Sequence, residues 1–194
     1  MTKGKIIIIS GPSGSGKTTL YKKLLASKKF KRRLVRSVSI TTRPKRKGEK
    51  HGRDYLFVSL KMFAYKKRSG HFLESEQVFG NHYGTPNKNV QDLLRVRKNV
   101  LLCIDVKGAK SVRWKFPKTV TIFIKTTSLA VLAARLKGRG SEQKSAVAQR
   151  LKTAKKELRE AKKYKFVVIN DNLRAAYGKL EVIIASEISP ASGK

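Results

Sequence analysis

A short glycine-rich segment near the N-terminus has the residue types and spacing needed to hold a polyphosphate. Residues 11–18 match the pattern G-x-x-x-x-G-K-[ST] at every position. Glycines let the backbone curl so that several N–H groups point at phosphate oxygens, and a following helix presents its positive end to them. We expect Lys17 to reach the β- and γ-phosphates and the Thr18 hydroxyl to ligate Mg²⁺. The predicted nucleotide contacts are Gly11, Ser13, Gly14, Ser15, Gly16, Lys17, Thr18 and Thr19.

The context of this segment supports a nucleoside triphosphate site. The segment follows an apolar run, residues 6–9, and opens a stretch with leucines at helical spacing. An ordinary glycine-rich turn is the alternative, and it does not account for that context. The loop does not identify the phosphate acceptor, because ATPases, GTPases and many kinases share it.

Further along the chain lie side chains suited to a single phosphate group. Arg43 and Arg46 can hold a phosphate through forked hydrogen bonds. Tyr55 and Tyr83 can add phenolic donors. Each has a plainer interpretation. The arginines could be surface charges in a basic chain, and Tyr55 could fill the core beside Phe57.

Glu74 and Thr85 suit the polar edge of a guanine base. A carboxylate can accept hydrogen bonds from guanine N1–H and the 2-amino group, a donor pair that adenine lacks, and a threonine hydroxyl can donate to O6. A site built for those groups has unpaired polar atoms when adenine binds, which gives large discrimination. The alternative for a lone glutamate is a solvated turn residue.

These residues fall within stretches that resemble the guanylate kinase family. The stretches are residues 39–49, 52–58, 72–74, 80–85, 104–108, 135–140 and 168–171. The resemblance runs from about residue 5 to about residue 187, in the family's order and spacing. It implies an enzyme of purine nucleotide metabolism that transfers the γ-phosphoryl group of ATP to GMP, and to dGMP as well, with Mg²⁺ as cofactor.

The resemblance also assigns roles to individual residues. The implied ligands of the GMP phosphate are Arg43, Arg46, Tyr55 and Tyr83. The implied base pocket consists of Glu74, Thr85, Ser39 and Asp105. The family uses arginines on the ATP phosphates and the transferring group at positions that match Arg135, Arg139 and Arg150, and Asn170 matches a residue near the adenine end. The implied catalytic residues are Lys17, Arg43, Arg139 and Arg150.

One position departs from the family's pattern. The family usually has Asp-x-Asp at the end of the strand before Gly108, whereas this chain has Cys103 and Asp105 there. Residues two apart on a strand face the same side, so Cys103 should point with Asp105 toward the site. A neutral thiol is a poor partner for Mg²⁺, which prefers oxygen ligands. We therefore expect weaker Mg²⁺ binding without loss of activity.

Strand-like and helix-like patterns alternate along most of the chain. The predicted strands are residues 5–10, 99–105, 119–124 and 166–170, and the predicted helices are residues 17–26, 86–98, 129–136, 142–163 and 173–187. The alternation predicts an α/β fold, a P-loop three-layer arrangement with a mainly parallel sheet flanked by helices. Short β-rich pieces at 35–41, 55–58 and 78–79 break this rhythm and indicate an inserted β-rich lobe. The resemblance implies that this lobe binds the nucleoside monophosphate.

We expect a single guanylate-kinase-like domain over residues 1–194. Its core would comprise about 1–35, 86–125 and 151–190, its GMP-binding lobe about 36–85, and a small lid about 126–150. Arg139 lies between two glycines, where a flap could swing, and closure of the flap would exclude water and suppress ATP hydrolysis. Surface positions on helices are the alternative for the three arginines of the lid.

The overall composition restricts function less than the motifs do. The chain has 46 Lys and Arg against 12 Asp and Glu, a formal net charge of +34 spread along its length. Net charge bears on solubility and non-specific binding and not on fold, so we expect nucleic-acid binding only as non-specific charge attraction. A single cysteine excludes an internal disulfide, and no apolar run approaches the roughly 20 residues of a membrane span. We expect a cytoplasmic protein, monomeric or dimeric, that does not enter the membrane.

Two other functions stay open at this point. One is a guanylate-kinase-like binding module with weak catalysis, and the other is a basic protein with a secondary association with nucleic acids. The presence of Lys17, Thr18, Arg43 and Arg139 argues against the binding module, because such modules typically lack these phosphate-binding groups.

Overall fold

A run of isoleucines forms the middle of the central sheet. Residues Ile6–Ser10 make strand β1, and all five are buried. Both faces of this strand are apolar because helices cover a parallel sheet on each side, which leaves no solvent-facing side for polar residues.

Within residues 4–138 and 144–188, the computed structural model contains nine strands and seven α-helices. The strands are β1 (Ile6–Ser10), β2 (Leu34–Arg36), β3 (Ile40–Thr41), β4 (Leu56–Phe57), β5 (Phe72–Val78), β6 (Asn81–Pro86), β7 (Asn99–Cys103), β8 (Val120–Lys125) and β9 (Phe166–Ile169). The helices are α1 (Lys17–Ala26), α2 (Leu60–Arg68), α3 (Asn87–Arg95), α4 (Val106–Lys115), α5 (Leu129–Lys137), α6 (Lys144–Arg159) and α7 (Leu173–Ile188). A 3-10 turn, Glu160–Lys163, follows α6.

The core sheet has five parallel strands in the order β2-β7-β1-β8-β9. Alternate residues of β1 point to opposite faces. Ile7 and Ile9 pack with residues of α1 and α7, and Ile6 and Ile8 pack with residues of α3 and α4. The predicted three-layer α/β fold is confirmed. Because the strands are parallel, their carboxyl ends share one edge, and the glycine-rich loop lies there.

A second sheet of four strands, in the order β4-β3-β6-β5, comes between β2 and α3 in the sequence. β5 and β6 form an antiparallel hairpin that turns at Phe79 and Gly80, which have φ of 49° and 76°. Phe63 of α2 stacks on Phe72 of β5 with 4.7 Å between ring centroids. The hairpin register sets Glu74 opposite Thr85, which brings two predicted base-pocket residues together.

The structure corrects two of the predicted strands. The predicted strand over 35–41 is two strands, because β2 joins the core sheet and β3 joins the second sheet. The predicted strand at 78–79 is the end of β5 and the turn that follows it. Short apolar pieces predict a strand but carry no information on which sheet it joins, because that depends on distant partners.

Two helices were not predicted. Asp105, expected at the end of a strand, caps α4 and accepts hydrogen bonds from the backbone N–H groups of Lys107 and Gly108. In α2, the Ser59 side chain accepts from the Met62 backbone N–H as an N-cap. Basic residues occupy much of both helices, which obscures the apolar periodicity, whereas the capping residues Ser59 and Asp105 were a usable signal.

The longest helices, α6 and α7, have 16 residues each. In the part of the chain that the structure describes, no helix is long and apolar enough to cross a membrane.

Candidate active site

The glycine-rich loop connects β1 to α1 at the carboxyl edge of the core sheet. Gly16 is the N-cap of α1 and has a φ of 87°, a conformation that residues with a side chain disfavour. A Cβ at Gly16 would also overlap the side-chain nitrogen of Asn170. Among the described residues, no side chain caps the start of α1, so its first N–H groups are available to an anion.

Lys17 lies folded against the loop. Its Nζ donates to the carbonyl oxygens of Gly11 and Pro12 at 2.6 and 2.9 Å. Thr18 and Thr19 follow in the same turn of α1, and both are exposed. The structure therefore places the lysine and the threonine of the motif together beside the loop.

Asn170 supports the loop from behind. Its side chain is 3% exposed, and its Nδ2 donates to the Ser15 carbonyl oxygen at 2.7 Å. Its backbone N–H donates to the Lys125 carbonyl oxygen at 2.8 Å. The side-chain amide of Asn170 thus holds the backbone of the loop, while its backbone N–H anchors the residue to β8.

Two predicted arginines approach the loop from α5 and α6. Arg150 donates from Nη1 to Ser13 Oγ at 3.0 Å, and its guanidinium carbon lies 5.0 Å from the Phe79 ring centroid. It therefore spans from the loop to the β5–β6 turn of the second sheet. Arg135 donates to the Asp171 carbonyl oxygen at 3.2 Å. Arg139, with residues 139–143 of the predicted lid, lies outside the described residues.

Glu74, Thr85 and Asp105 converge from three elements. Thr85 Oγ1 donates to Glu74 Oε1 at 2.5 Å across the β5–β6 hairpin. Asp105 Oδ1 accepts from the backbone N–H groups of Lys107 and Gly108 at 2.7 and 3.0 Å. A Cβ at Gly108 would lie 2.6 Å from Glu74 Oε2. The first turn of α4 therefore packs directly on the Glu74 carboxyl group.

The environment of Glu74 favours its protonated form when the pocket holds no ligand. Burial raises its pKa to about 7, against the hydrogen bond from Thr85, and the negative charges of Asp105 and Glu76 add to the rise. The residue is only 7% exposed. A ligand that donates hydrogen bonds to the carboxylate would stabilise the ionised form and reverse this shift. The pocket thus suits a ligand with a pair of N–H donors.

Arg43 is held by a neighbouring acid. Its Nη2 donates to both carboxylate oxygens of Glu49 at 2.7 and 2.9 Å, and its Nη1 donates to the Pro44 carbonyl oxygen at 2.7 Å. The Arg46 backbone N–H also donates to Glu49 Oε2 at 2.9 Å, while the Arg46 side chain is exposed. Partial burial would raise the pKa of Glu49, but these hydrogen bonds hold it below its usual value. Glu49 therefore stays ionised and fixes the segment that carries both arginines.

Tyr55 and Tyr83 lie beside Arg43. Their ring centroids are 6.0 Å apart in an edge-to-face arrangement, and the Arg43 guanidinium carbon is 5.5 Å from the Tyr55 ring centroid. Ser39 is buried just before β3, and its carbonyl oxygen accepts from the Leu56 backbone N–H at 2.9 Å. Three of the four residues predicted for the phosphate thus form one cluster, and Arg46 lies next to it in the chain.

Cys103 ends β7, where it lies opposite Ile9 of β1. Burial raises the pKa of its thiol, against the nearby cations Lys17 and Arg36. The residue is therefore a neutral thiol at physiological pH.

Four charged residues at this site did not stand out in the sequence. They are Lys22, Arg36, Glu49 and Asp54. Asp54 is 3% exposed and accepts from Lys22 Nζ at 2.5 Å. A single cation carries little signal in a chain with 46 Lys and Arg, but only 12 residues are acidic. The scarcity of acids was a usable signal, because each acid has many basic residues to pair with.

Similarity to known proteins extends over nearly the whole chain. The sequence model of the family described as "Guanylate kinase" matches residues 3–187. The chain is 46% identical over 182 residues to a guanylate kinase of Neisseria gonorrhoeae, covering 94% of this chain and 87% of that protein. It is 41% identical over 185 residues to a guanylate kinase of Symbiobacterium thermophilum, covering 95% and 86%.

A crystal structure of guanylate kinase from Anaplasma phagocytophilum has the same fold. It superposes with a TM-score of 0.81 at 33% sequence identity, over 98% of this chain and 89% of that one. The family match, the relatives and this structure agree. The chain belongs to the guanylate kinase family.

Proposed function

We propose that this chain transfers the γ-phosphoryl group of ATP to GMP, giving ADP and GDP. The buried Glu74 carboxyl group, hydrogen-bonded by Thr85 and packed on the capped end of α4, carries the choice of acceptor. A carboxylate beside a hydroxyl complements the N1–H, 2-amino and O6 groups of guanine, and adenine would leave those protein groups unpaired. The relatives named guanylate kinase support the same acceptor.

The guanine base lies in the pocket of Glu74, Thr85, Ser39 and Asp105. Guanine N1–H and its 2-amino group donate to the Glu74 carboxylate. The Thr85 hydroxyl, which donates to Glu74 in this structure, turns its hydrogen toward O6. In this proposal dGMP serves as an acceptor as well, because the base and phosphate groups that the pocket recognises are the same in GMP and dGMP.

The phosphate of GMP lies in the cluster of Arg43, Arg46, Tyr55 and Tyr83. Arg43 is engaged by Glu49 through Nη2 and by the Pro44 carbonyl oxygen through Nη1, which fixes its plane before a ligand arrives. Its Nη1 then leaves that carbonyl oxygen for the phosphate. A pre-positioned guanidinium loses less conformational freedom when it binds a phosphate. The exposed side chain of Arg46 closes over the phosphate from the solvent side. In this proposal the segment 36–85 is the acceptor lobe of a single domain.

ATP lies on the loop of residues 11–18. The backbone N–H groups of Gly14, Ser15, Gly16 and Lys17 surround the β-phosphate, with Gly11, Ser13, Thr18 and Thr19 beside them. Lys17 leaves the carbonyl oxygens of Gly11 and Pro12 and moves to the β- and γ-phosphates. Arg135 acts on the ATP phosphates from α5. Asn170 acts through the loop, since its amide holds the Ser15 carbonyl oxygen.

Mg²⁺ accompanies ATP in this proposal. The Thr18 hydroxyl, an exposed oxygen in the first turn of α1, fits the preference of Mg²⁺ for oxygen ligands. The neutral Cys103 thiol does not fit that preference. When bound, the ion supplies charge neutralisation on the phosphates. We therefore expect Thr18 to hold it without help from position 103, and with lower affinity than an aspartate there would give.

In the transfer step, an oxygen of the GMP phosphate forms a bond to the γ-phosphorus as the bond to the β-γ bridging oxygen breaks. The attacking oxygen is already anionic, so the protein needs to position groups and neutralise charge. Lys17, Arg43 and Arg150 supply that charge from the loop, the acceptor lobe and α6. Arg139 joins them from the lid of residues 126–150, whose closure excludes water.

A coupled assay of ADP release tests this function. The enzyme is incubated with ATP and Mg²⁺ and with GMP, AMP, CMP or UMP in turn. We expect release that depends on GMP and not on the other three. Release with AMP at a comparable rate would rule out the proposed base pocket. A folded protein that binds GMP calorimetrically but releases no ADP would point to a binding module.

A further inference from the structure

The guanidinium of Arg36 lies between two tyrosine rings and connects helix α1 to the residues proposed to bind the GMP phosphate. Arg36 is the last residue of β2 and pairs in register with Leu101 of β7. Its guanidinium carbon lies 4.8 Å from the ring centroid of Tyr21 on α1 and 5.7 Å from that of Tyr55. Tyr55 in turn lies beside Arg43. The side chains therefore form a continuous series from α1, through the end of β2, to the predicted phosphate ligands.

The same guanidinium holds the backbone that leads into Tyr55. Its Nη1 donates to the Arg53 carbonyl oxygen at 2.9 Å, and its Nη2 donates to the Asp54 carbonyl oxygen at 2.6 Å. These are the two peptide groups immediately before Tyr55. The planar fork of arginine can reach two neighbouring carbonyl groups at once, which the single ammonium of lysine cannot do in the same geometry. Arg36 therefore fixes both the ring of Tyr55 and the chain that carries it.

A second bridge runs in parallel. Lys22, the neighbour of Tyr21 on α1, donates to Asp54 Oδ1 at 2.5 Å. Asp54 Oδ2 accepts from the Lys50 backbone N–H and from Arg53 Nε, both at 2.9 Å. Burial would raise the pKa of Asp54, but these donors, led by Lys22, hold it far below its usual value. Two adjacent residues of α1 are thus connected to the segment 50–55, Lys22 directly and Tyr21 through Arg36.

The arrangement favours an indirect role for Arg36. Both of its Nη groups are occupied by carbonyl oxygens, and its Nε is buried without a hydrogen-bond partner among the described residues. A buried donor without a partner is costly, yet a shorter side chain could not reach the two carbonyl groups. To bind the phosphate itself, Arg36 would have to release both carbonyl groups, and with them its hold on the backbone before Tyr55. The geometry suits a residue that acts through Tyr55.

We propose that Arg36 is a positioning residue for the acceptor: it holds Tyr55 and the segment 50–55 at a set distance from α1, so that the GMP phosphate faces the γ-phosphate of ATP. The inference rests on the proposed function, since it concerns the GMP phosphate site. Arg36 is the last residue of the core strand β2, so this proposal gives a core strand a part in GMP binding. The Arg36 side chain itself touches neither nucleotide.

The test is the Arg36→Lys variant, which keeps the charge and loses the fork and the stacking. We expect the KM and the calorimetric Kd for GMP to rise about tenfold, the effect of losing one charge-assisted hydrogen bond, with the KM for ATP unchanged. The matched control is Arg33→Lys, since Arg33 also donates to a carbonyl group, that of Ile188 at the end of α7. The control should change neither KM.

Two further measurements distinguish positioning from general stability. Arg36→Lys combined with Tyr55→Phe should raise the KM for GMP by less than the product of the two single effects, because both act on one group. Lys22→Met, at an accessible end of the second bridge, should raise the KM for GMP in the same direction and serves as the test if Arg36→Lys fails to fold.

Each result has a clear meaning. Equal rises in both KM values, or no change for GMP in a folded variant, would overturn the positioning role. Strictly multiplicative effects of the two substitutions would also overturn it. If the wild-type protein shows no GMP-dependent ADP release, the proposed function itself is wrong. That result is obtained before any variant is compared.

Discussion

The loop at the end of β1 consists mainly of backbone groups, whereas the pocket of the second sheet consists of side chains. The loop is one contiguous segment, its donors are backbone N–H groups, and its shape depends on glycines such as Gly16, with a φ of 87°. The pocket is built from side chains distant in sequence, such as Arg43, Glu74 and Asp105, each held by a partner. A backbone site is therefore damaged by adding atoms, and a side-chain site by removing a charge.

The largest expected effect comes from adding one methyl group to the loop. Gly16→Ala forces a left-handed conformation on alanine and pushes the new Cβ into the Asn170 amide. The strain and the broken hydrogen bond to Ser15 together cost about 4 kcal/mol, or about a thousandfold in kcat/KM for ATP. Steady-state kinetics measure this loss, and calorimetry should show unchanged GMP binding.

The matched control for that change is Gly178→Ala. Gly178 is a glycine of α7, and a Cβ placed there meets nothing within 4 Å among the described residues beyond its own stretch of helix. Alanine at a helix interior stabilises by up to about 1 kcal/mol, so activity should be unchanged and the melting temperature equal or higher. A Gly16→Ala enzyme with normal ATP kinetics would contradict the description of the loop as a backbone site.

Removing the negative charge of Glu74 should weaken the recognition of GMP. Glu74→Gln keeps the size of the side chain but turns an N–H₂ group toward the donors of guanine. Losing hydrogen bonds to a charged group and opposing donors should lower kcat/KM for GMP about a hundredfold, with the KM for ATP unchanged. The control is Glu181→Gln on α7, where Oε1 accepts from the Tyr177 hydroxyl at 3.3 Å, a contact that a glutamine Oε1 can also accept. Equal losses for both nucleotides would show a folding defect in place of a base-recognition defect.

GMP binding should depend on pH through the ionisation of Glu74 in the pocket. Guanine needs the ionised Glu74, whose pKa in the free protein is raised to about 7. Below that pH a proton must be released for GMP to bind, so affinity should rise about tenfold from about pH 6 to about pH 7.5. Calorimetry of wild-type and Glu74→Gln proteins tests this, since the titration of the GMP phosphate is common to both. The same pH dependence in both proteins would contradict the proposal that the Glu74 carboxylate accepts the hydrogen bonds of guanine.

The smallest effect concerns the metal. Cys103→Asp places a carboxylate near Lys17 and Arg36, whose positive charges favour its ionised form. Such a carboxylate can hold Mg²⁺ through water, so the Mg²⁺ concentration for half-maximal rate should fall about threefold to tenfold. Binding of Mg²⁺ to the ADP complex, measured by calorimetry, is a readout independent of turnover. An unchanged Mg²⁺ requirement would show that the residue at position 103 does not affect Mg²⁺ binding.

Prediction from the sequence succeeded where the signal is local. The apolar run at 6–9 and the leucines after Lys17 predicted β1 and α1 correctly, because burial on both sheet faces and helical periodicity are visible within a few residues. Prediction failed at α4, where basic residues obscured the apolar face, and at β2, whose assignment to the core sheet depends on its pairing with β7. That pairing joins residues far apart in the chain.

The loop, and the residues that could hold a guanine nucleotide, were predictable from the amino-acid sequence alone. A phosphate loop needs only glycines, a lysine and a threonine at set spacing, and these are consecutive. The pairings became visible only in the folded chain: Arg43 with Glu49, Glu74 with Thr85, and Arg36 with the carbonyl groups before Tyr55. The first pairing depends on the turn between Arg43 and Glu49, the second on the register of the β5–β6 hairpin, and the third on how β2 of the core sheet lies against the segment that carries Tyr55.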